Sequence, residues 1–135
     1  MKKGFTLIEL LVVIGIISIL VVIMIFYFKS TKDKARDALI KETMGTPLTK
    51  LSLEYYINNP GSGYANFCGD SATVELRGKI KSPRPTDPEC HSDANRWVVC
   101  AQLYSSSAKA WCADNTGVKT EINISKCDTN IHSCK

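Results

Sequence analysis

An uninterrupted apolar segment near the amino terminus limits what this chain can fold into. It covers residues 5–28, and Glu9 is its one charged side chain. As an α-helix the segment is about 36 Å long, which is enough to cross a bilayer core of ~30 Å. It is longer than the apolar part of a cleaved secretory signal, and residues 1–4 are too short for the basic region of such a signal. The segment therefore predicts a membrane-spanning helix.

The cysteines indicate the compartment of the remaining chain. All six follow the apolar segment, at Cys68, Cys90, Cys100, Cys112, Cys127 and Cys134. An even number of cysteines in a small domain behind a membrane anchor is typical of disulfides in an oxidising compartment. Zinc bound with His91 or His132 is the alternative, but the closely spaced ligand pairs of structural zinc sites are missing from the sequence. We therefore expect disulfides, and neither a metal nor a cofactor.

Charge gives conflicting evidence about orientation. Two lysines precede the span, whereas four basic residues lie within residues 29–36, so the positive-inside rule alone would place the carboxyl-terminal domain in the cytoplasm. The cysteines favour the outside, and we follow them. With 17 Lys and Arg against 13 Asp and Glu, the chain is too balanced to indicate a nucleic-acid binder.

The sequence KGFTLIELLVV at residues 3–13 resembles the prepilin signature of type IV pilins and type II secretion pseudopilins. The close match covers about residues 2–28, with a looser resemblance of helix followed by sheet beyond them. The resemblance implies that a prepilin peptidase cuts after Gly4 and that the new terminal Phe5 is N-methylated. It also implies that Glu9 pairs with the terminal amine of a neighbouring subunit during assembly.

Glu9 on its own admits two interpretations. It either sits near the headgroups, where the helix dipole tolerates it, or it awaits a cation from another chain. Cleavage after Gly4 would create such a cation at Phe5, about one helical turn away. Because this contact joins two different surfaces of identical chains, it does not close, and it builds a helical filament.

Beyond the span, the pattern predicts an α+β fold, pilin-like and stapled by disulfides. An apolar stripe continues the helix amphipathically through residues 29–58, and it consists of Ala35, Ala38, Leu39, Met44, Leu48, Leu51 and Tyr55. The sequence Gly45-Thr46-Pro47 either kinks this helix or ends it, with Thr46 capping a second one. We thus expect a cleaved leader at 1–4, a transmembrane and assembly helix at 5–28, its continuation at 29–58, and a disulfide-rich antiparallel β region at 59–135.

Alternation with period two predicts the strands of a small sheet, three or four in number, against which the long helix packs. Residues 97–104 and 108–113 form a hairpin around a three-residue loop, and 118–124 and, more weakly, 73–77 form further strands. In this register Trp97, Val99, Ala101, Leu103, Trp111 and Ala113 share the core face.

The register also suggests the disulfide pairing. Cys100 lies opposite Cys112, within bonding reach. Cys127 and Cys134 close a short terminal loop, which leaves Cys68 for Cys90. A bridge from Cys68 to the sheet is the alternative.

Other side chains give weaker signals. Glu54, Glu75 and Glu121 are interpreted as surface charges, and without a recognisable catalytic motif we expect no enzyme. The basic residues 77–84 fit a solvated loop better than a nucleic-acid contact, since aromatics are missing from the segment. The sequence at 114–117 favours a turn over a calcium loop. The glycosylation sequon Asn123-Ile124-Ser125 lies in a predicted strand and receives little weight.

The resulting hypothesis is a structural subunit of a type IV pilus-like surface filament, with adhesion, motility or DNA uptake as roles. The alternative is a pseudopilin or minor pilin, and a membrane-tethered periplasmic enzyme or binding module is the alternative from another class. We expect a single-pass precursor in the cytoplasmic membrane with its carboxyl-terminal domain outside, and a cell-surface pilus after assembly. Expected partners are further copies, prepilin peptidase, the inner-membrane assembly machinery and, before assembly, membrane lipid.

Overall fold

The computed structural model describes residues 4–86, 88–127, 131 and 133–135. The chain divides into two compact units, Met1–Asp33 and Lys34–Lys135. In chain order the elements are α1 (Leu7–Thr43), α2 (Thr46–Asn58), a 3-10 turn (Phe67–Gly69), α3 (Ser71–Lys79), β1 (Glu89–Ser92), β2 (Trp97–Gln102), β3 (Lys109–Asp114), β4 (Lys119–Asn123) and a second 3-10 turn (Ile124–Cys127).

The first unit contains the apolar segment, which is helical from Leu7 onward. Every large apolar side chain in residues 5–28 is between 46% and 81% exposed, so this helix buries none of them within the chain. By length and composition the helix can cross a membrane. Apolar surface on this scale requires a cover of lipid or of other chains.

The second unit contains a four-stranded antiparallel sheet in the order β1-β2-β3-β4. The predicted hairpin register is confirmed, because Cys100 pairs with Cys112 and Val99 with Ala113. The strands, the long amino-terminal helix and three disulfides together form the predicted α+β, pilin-like architecture.

Side chains on one face of the sheet pack against the helices. The predicted core face is confirmed, with Trp111 only partly buried. The buried members of this cluster are Ile40, Met44, Leu48, Phe67, Ile80, Trp97, Val99, Ala101, Leu103 and Ala113. Burial of this set is the main hydrophobic contribution to the stability of the unit.

The described residues of the carboxyl-terminal segment, after β4, pack on the other face of the sheet. Cys127, Ile131 and Cys134 pack there against the buried strand residues Val98, Cys100, Ala110 and Cys112. Val118, Ile122 and Ile124 border this cluster, which agrees with the alternation predicted for the last strand.

The predicted apolar stripe of the helix is partly wrong. Ala35, Ala38 and Leu39 are exposed, whereas Asp37 and Ile40 are buried. The buried face is rotated because the Asp37 carboxylate hydrogen-bonds the backbone of the hairpin loop.

The chain also breaks between α1 and α2 rather than kinking. Gly45 occupies the N-cap position of α2 without a side-chain cap, and Thr46 is the first residue of the helix, so the predicted Thr46 cap is wrong. Pro47 fits there because the first turn of a helix does not use its N–H groups.

The predicted strand at residues 73–77 is wrong, because this segment lies in α3. The Asp70 carboxylate accepts the backbone N–H of Ala72 and of Thr73, at 3.1 and 3.4 Å, and thereby caps the helix. The fourth strand is instead β1, which lies in the proline-rich segment between Cys68 and the hairpin.

Of the three predicted disulfides, Cys68–Cys90 is confirmed and the other two are wrong. The bonds are Cys100–Cys127 and Cys112–Cys134. Cys100 and Cys112 do face each other, but both project from the face that the carboxyl-terminal segment covers. That segment carries its own cysteine to each of them, so it is fastened across the sheet instead of closing on itself.

Candidate processing and assembly site

The amino terminus of α1 is built around Thr6 and Glu9. The Thr6 carbonyl accepts the first helical bond, from the N–H of Leu10 at 3.3 Å, which makes Thr6 the N-cap. Its Oγ1 accepts the Glu9 N–H at 3.3 Å. In return Oε2 of Glu9 accepts the Thr6 N–H at 2.9 Å and the Thr6 hydroxyl at 2.7 Å. The two residues thus form a reciprocal capping box.

This arrangement fixes the direction of the Glu9 side chain. The carboxylate points back toward Phe5, into the region where unpaired helix N–H groups favour an anion. The role of Thr6 was not predicted, although Thr-x-x-Glu before an apolar run is the pattern of a capping box. The first turn of α1 therefore holds the Glu9 carboxylate, which is directed toward the predicted cleavage site between Gly4 and Phe5.

The Gly4–Phe5 bond precedes the helix. Both residues are non-helical and exposed, and the Phe5 side chain is 81% exposed. A Cβ on Gly4 would meet no atom within 4 Å, so the chain leaves open space around this position. An enzyme can therefore approach the bond without unfolding α1. The leader residues Lys2 and Lys3 lie outside the described residues.

Asp37 fastens the second half of α1 to the hairpin. Its two carboxylate oxygens accept the backbone N–H of Tyr104 at 2.6 Å and of Ser105 at 3.1 Å. The guanidinium of Arg36 lies 4.7 Å from the centre of the Tyr104 ring. One turn further, Lys41 bonds Glu121 at 2.7 Å and lies 4.9 Å from the Trp111 ring centre. These contacts link α1 with β3, with β4 and with the loop between β2 and β3.

On the opposite face of the sheet, Asp114 holds a turn and the carboxyl-terminal segment through its carboxylate. Its Oδ1 accepts the N–H and hydroxyl of Thr116 and the N–H of Val118, and its Oδ2 accepts the N–H of Cys134 at 3.0 Å. Burial alone would raise the pKa of Asp114, but these hydrogen bonds outweigh it and hold the pKa below its ordinary value. The carboxylate is thus occupied by a turn and by the carboxyl-terminal segment, in agreement with the turn predicted there.

The basic segment at 77–84 is partly structural. The Arg77 guanidinium donates to the carbonyls of Cys68, at 3.2 Å, and Pro88, at 2.7 Å. Burial lowers the pKa of Arg77, and the charge of Glu89 partly offsets that effect. Arg77 therefore links α3 to the segments around the Cys68–Cys90 disulfide. Its guanidinium is engaged in these contacts, whereas a nucleic-acid contact at 77–84 would need it to face solvent.

The remaining candidates occupy ordinary positions. Cys90 is disulfide-bonded, so it cannot supply a thiolate beside His91, and His132 lies outside the described residues. Glu75 pairs with Lys79 on the surface at 2.9 Å, and Glu54 is exposed. Within the described ranges, no group of three or more His, Cys, Asp or Glu side chains is arranged to hold a metal ion.

Comparison with known proteins identifies the amino terminus. Residues 1–25 match the family model of the prokaryotic N-terminal methylation motif. No curated protein and no solved structure is significantly similar to the chain. The motif and the apolar helix fit a membrane-anchored precursor. The chain thus carries, over residues 1–25, the signature of type IV pilins and pseudopilins.

Proposed function

We propose that this chain is a structural subunit of a type IV pilus-like surface filament. The observation that carries the proposal is the methylation motif, followed at once by an apolar helix whose side chains the chain itself leaves uncovered. Pilin-like proteins are structural rather than catalytic. In this proposal residues 1–4 are the leader, 5–28 form the assembly helix, 29–58 continue it, and the globular region at 59–135 coats the filament.

Maturation would prepare the helix for assembly. Prepilin peptidase cuts between Gly4 and Phe5, and the new Phe5 amine is methylated. The open, non-helical setting of this bond supports such a cut. Cleavage leaves the capping box intact, because both Thr6 and Glu9 lie beyond the cut.

Glu9 would then select the register between copies. A carboxylate in an apolar environment is costly unless a cation is near, and the Phe5 amine of a neighbouring chain supplies one. The capping box supports this role, because it presents the carboxylate toward the amino-terminal end of the helix. The contact is heterologous and repeats from copy to copy, which gives a filament.

The location follows from the same features. The precursor spans the cytoplasmic membrane once, with lipid around α1, and the inner-membrane assembly machinery moves it into the cell-surface pilus. Three disulfides support an oxidising environment for the globular region. A pseudopilin or minor pilin shares the motif, and a membrane-tethered periplasmic enzyme or binding module is the alternative from another class.

Mass spectrometry of sheared surface filaments tests the proposal. We expect this chain to be the bulk component, with N-methylated Phe5 as its first residue. A pseudopilin or minor pilin would be scarce in the sheared fraction, and a plain signal anchor would retain Met1. Gly4→Leu should block cleavage, whereas Gly4→Ala should retain some, since the position before Phe5 must be small.

Charge and capping at Glu9 can be separated by matched variants. Glu9→Gln keeps an oxygen for the Thr6 N–H but removes the charge, Glu9→Ala removes both, and Thr6→Val removes the hydroxyl alone. We expect the two Glu9 variants to insert and to be cleaved normally but to give few filaments, with Thr6→Val closer to wild type. A normal filament yield from Glu9→Gln would contradict charge pairing and leave capping as the role of Glu9.

A further inference from the structure

The sequon Asn123-Ile124-Ser125 lies where the sheet ends. Asn123 is the last residue of β4, and Ser125 lies in the 3-10 turn that follows. Both side chains are exposed, whereas Ile124 between them is partly buried against the cluster under the carboxyl-terminal segment. The middle residue therefore anchors the segment, and the two polar residues of the sequon face solvent.

The geometry of the turn brings the two polar groups together. Oδ1 of Asn123 accepts the Ser125 N–H at 3.1 Å and the Ser125 hydroxyl at 3.0 Å. Neither bond uses the amide nitrogen Nδ2, which is the atom that forms an N-glycosidic bond. Glu121 lies two residues earlier, but its carboxylate is paired with Lys41 and Lys109, so the polar groups that the sequon itself displays are the Asn123 amide and the Ser125 hydroxyl.

The position also has room for a large substituent. In the sheet order β4 lies at an edge, with β3 as its neighbour, and Asn123 pairs there with the exposed Lys109. A substituent on Asn123 would extend from this edge without displacing a core side chain. It would also shield the outer edge of β4, which pairs with no further strand in the described part of the chain and can pair with another chain.

We propose that Asn123 is an N-glycosylation site, and that the donor is an oligosaccharide linked through phosphate to a polyprenyl lipid. Nδ2 of Asn123 forms a bond to the anomeric carbon of the first sugar, and the bond from that carbon to the phosphate oxygen breaks. The lipid phosphate leaves with the electron pair, and a base of the transferase takes the amide proton. The three disulfides support the compartment, since secreted and extracytoplasmic domains carry both modifications.

The test uses the full chain purified from its own cells. Trypsin releases residues 120–126, a peptide that contains Asn123 and no cysteine. We expect this peptide to carry a mass increment of sugar residues, and an amidase that removes N-linked glycans to convert Asn123 to aspartate. Ser125→Ala should abolish the increment although Asn123 remains, and Ser125→Thr should retain it.

The same digest provides the control for folding and location. The linkage of residues 110–119, which contain Cys112, to residues 127–135, which contain Cys127 and Cys134, reports that the chain has folded and reached the oxidising compartment. Unmodified Asn123 together with an intact Cys112–Cys134 bond overturns the proposal, as does a glycan that persists in Ser125→Ala. Because the measurement is made on precursor as well as on filaments, its result is independent of whether the chain assembles into a pilus.

Discussion

Replacing Asp37 should destabilise the globular unit more than any other single carboxylate change on α1. The side chain is 5% exposed, and it accepts two backbone N–H groups from the hairpin loop, at 2.6 and 3.1 Å. Asp37→Ala removes both acceptors and leaves the Tyr104 N–H without its partner in a half-buried position. Asp37→Asn keeps one acceptor oxygen and turns an N–H group toward the other donor.

The two hydrogen bonds are unequal in their expected contribution. A hydrogen bond to a charged group contributes about 1.5–3 kcal/mol, and we assign about 2 kcal/mol to the short bond from Tyr104. Ser105 is exposed, so water can replace the second bond, which we set at about 1 kcal/mol. Asp37→Ala should thus cost about 3 kcal/mol and lower Tm by roughly 10–20 °C. Asp37→Asn should cost about half as much.

Unfolding of the full chain in detergent, followed by tryptophan fluorescence, measures this loss. Trp97 is 1% exposed and reports on the core of the globular unit. Glu54→Ala is the matched control, because Glu54 is an exposed helical carboxylate on α2. If Asp37→Ala unfolds at the same temperature as Glu54→Ala, the carboxylate does not hold the helix to the hairpin, and the argument from these two bonds is wrong.

Three further predictions concern the loop, the disulfides and the pH dependence. Gly63→Ala should lower the free energy of unfolding in urea by more than about 1–2 kcal/mol, because φ of Gly63 is +56° and a Cβ there would overlap a backbone carbonyl. Gly61→Ala should lower it less, because a Cβ on Gly61 would have open space. Replacing Cys112 and Cys134 by Ser should cost about 3 kcal/mol, and non-reduced peptide mapping of the wild type should join these two residues, not Cys112 with Cys100. Because folding lowers the pKa of Asp114, its contribution to stability is present above about pH 4 and is lost as the pH falls through the lowered pKa. Asp114→Asn should therefore reduce the loss of stability at acid pH. If the acid dependence of stability is the same in Asp114→Asn as in the wild type, the assignment is wrong.

The hairpin and the amino-terminal segment were predictable because each follows from a local pattern. Alternation around a serine loop fixes which residues face each other, so the pairing of Cys100 with Cys112 could be read from spacing alone. The membrane-spanning helix was predictable because its length and its apolar composition can both be counted in the sequence, and the matched motif overlaps it.

The errors arose where tertiary contacts override local preference. Leu39 was predicted to lie in the apolar stripe, but Asp37 is buried in its place because its carboxylate finds two donors that are distant in sequence. The residues at 73–77 have β-branched character, yet Asp70 supplies a helix cap just before them. The cap was visible in the sequence, whereas the donors for Asp37 were not.

The disulfide pairing failed for a related reason. Facing positions in a hairpin satisfy the distance that a disulfide needs, but distance alone does not select among several cysteines on one face. Cys127 and Cys134 both lie on that face, where Cys127 bonds Cys100 and Cys134 bonds Cys112. The position of Cys134 depends partly on the bond from its N–H to Asp114, a contact between residues far apart in sequence.

The buried core of the globular unit contains no residue of the apolar segment 5–28, which matters for the proposed assembly. In the described part of the chain, neither buried cluster contains a residue before Ile40. Arg36 and Asp37, which attach α1 to the hairpin, also lie beyond the apolar segment. Loss of lipid contacts around residues 5–28 therefore removes no part of the globular core. If the chain is the filament subunit proposed above, it can exchange lipid for neighbouring helices around residues 5–28 while its disulfide-linked domain stays folded, because no side chain of that segment belongs to either buried cluster.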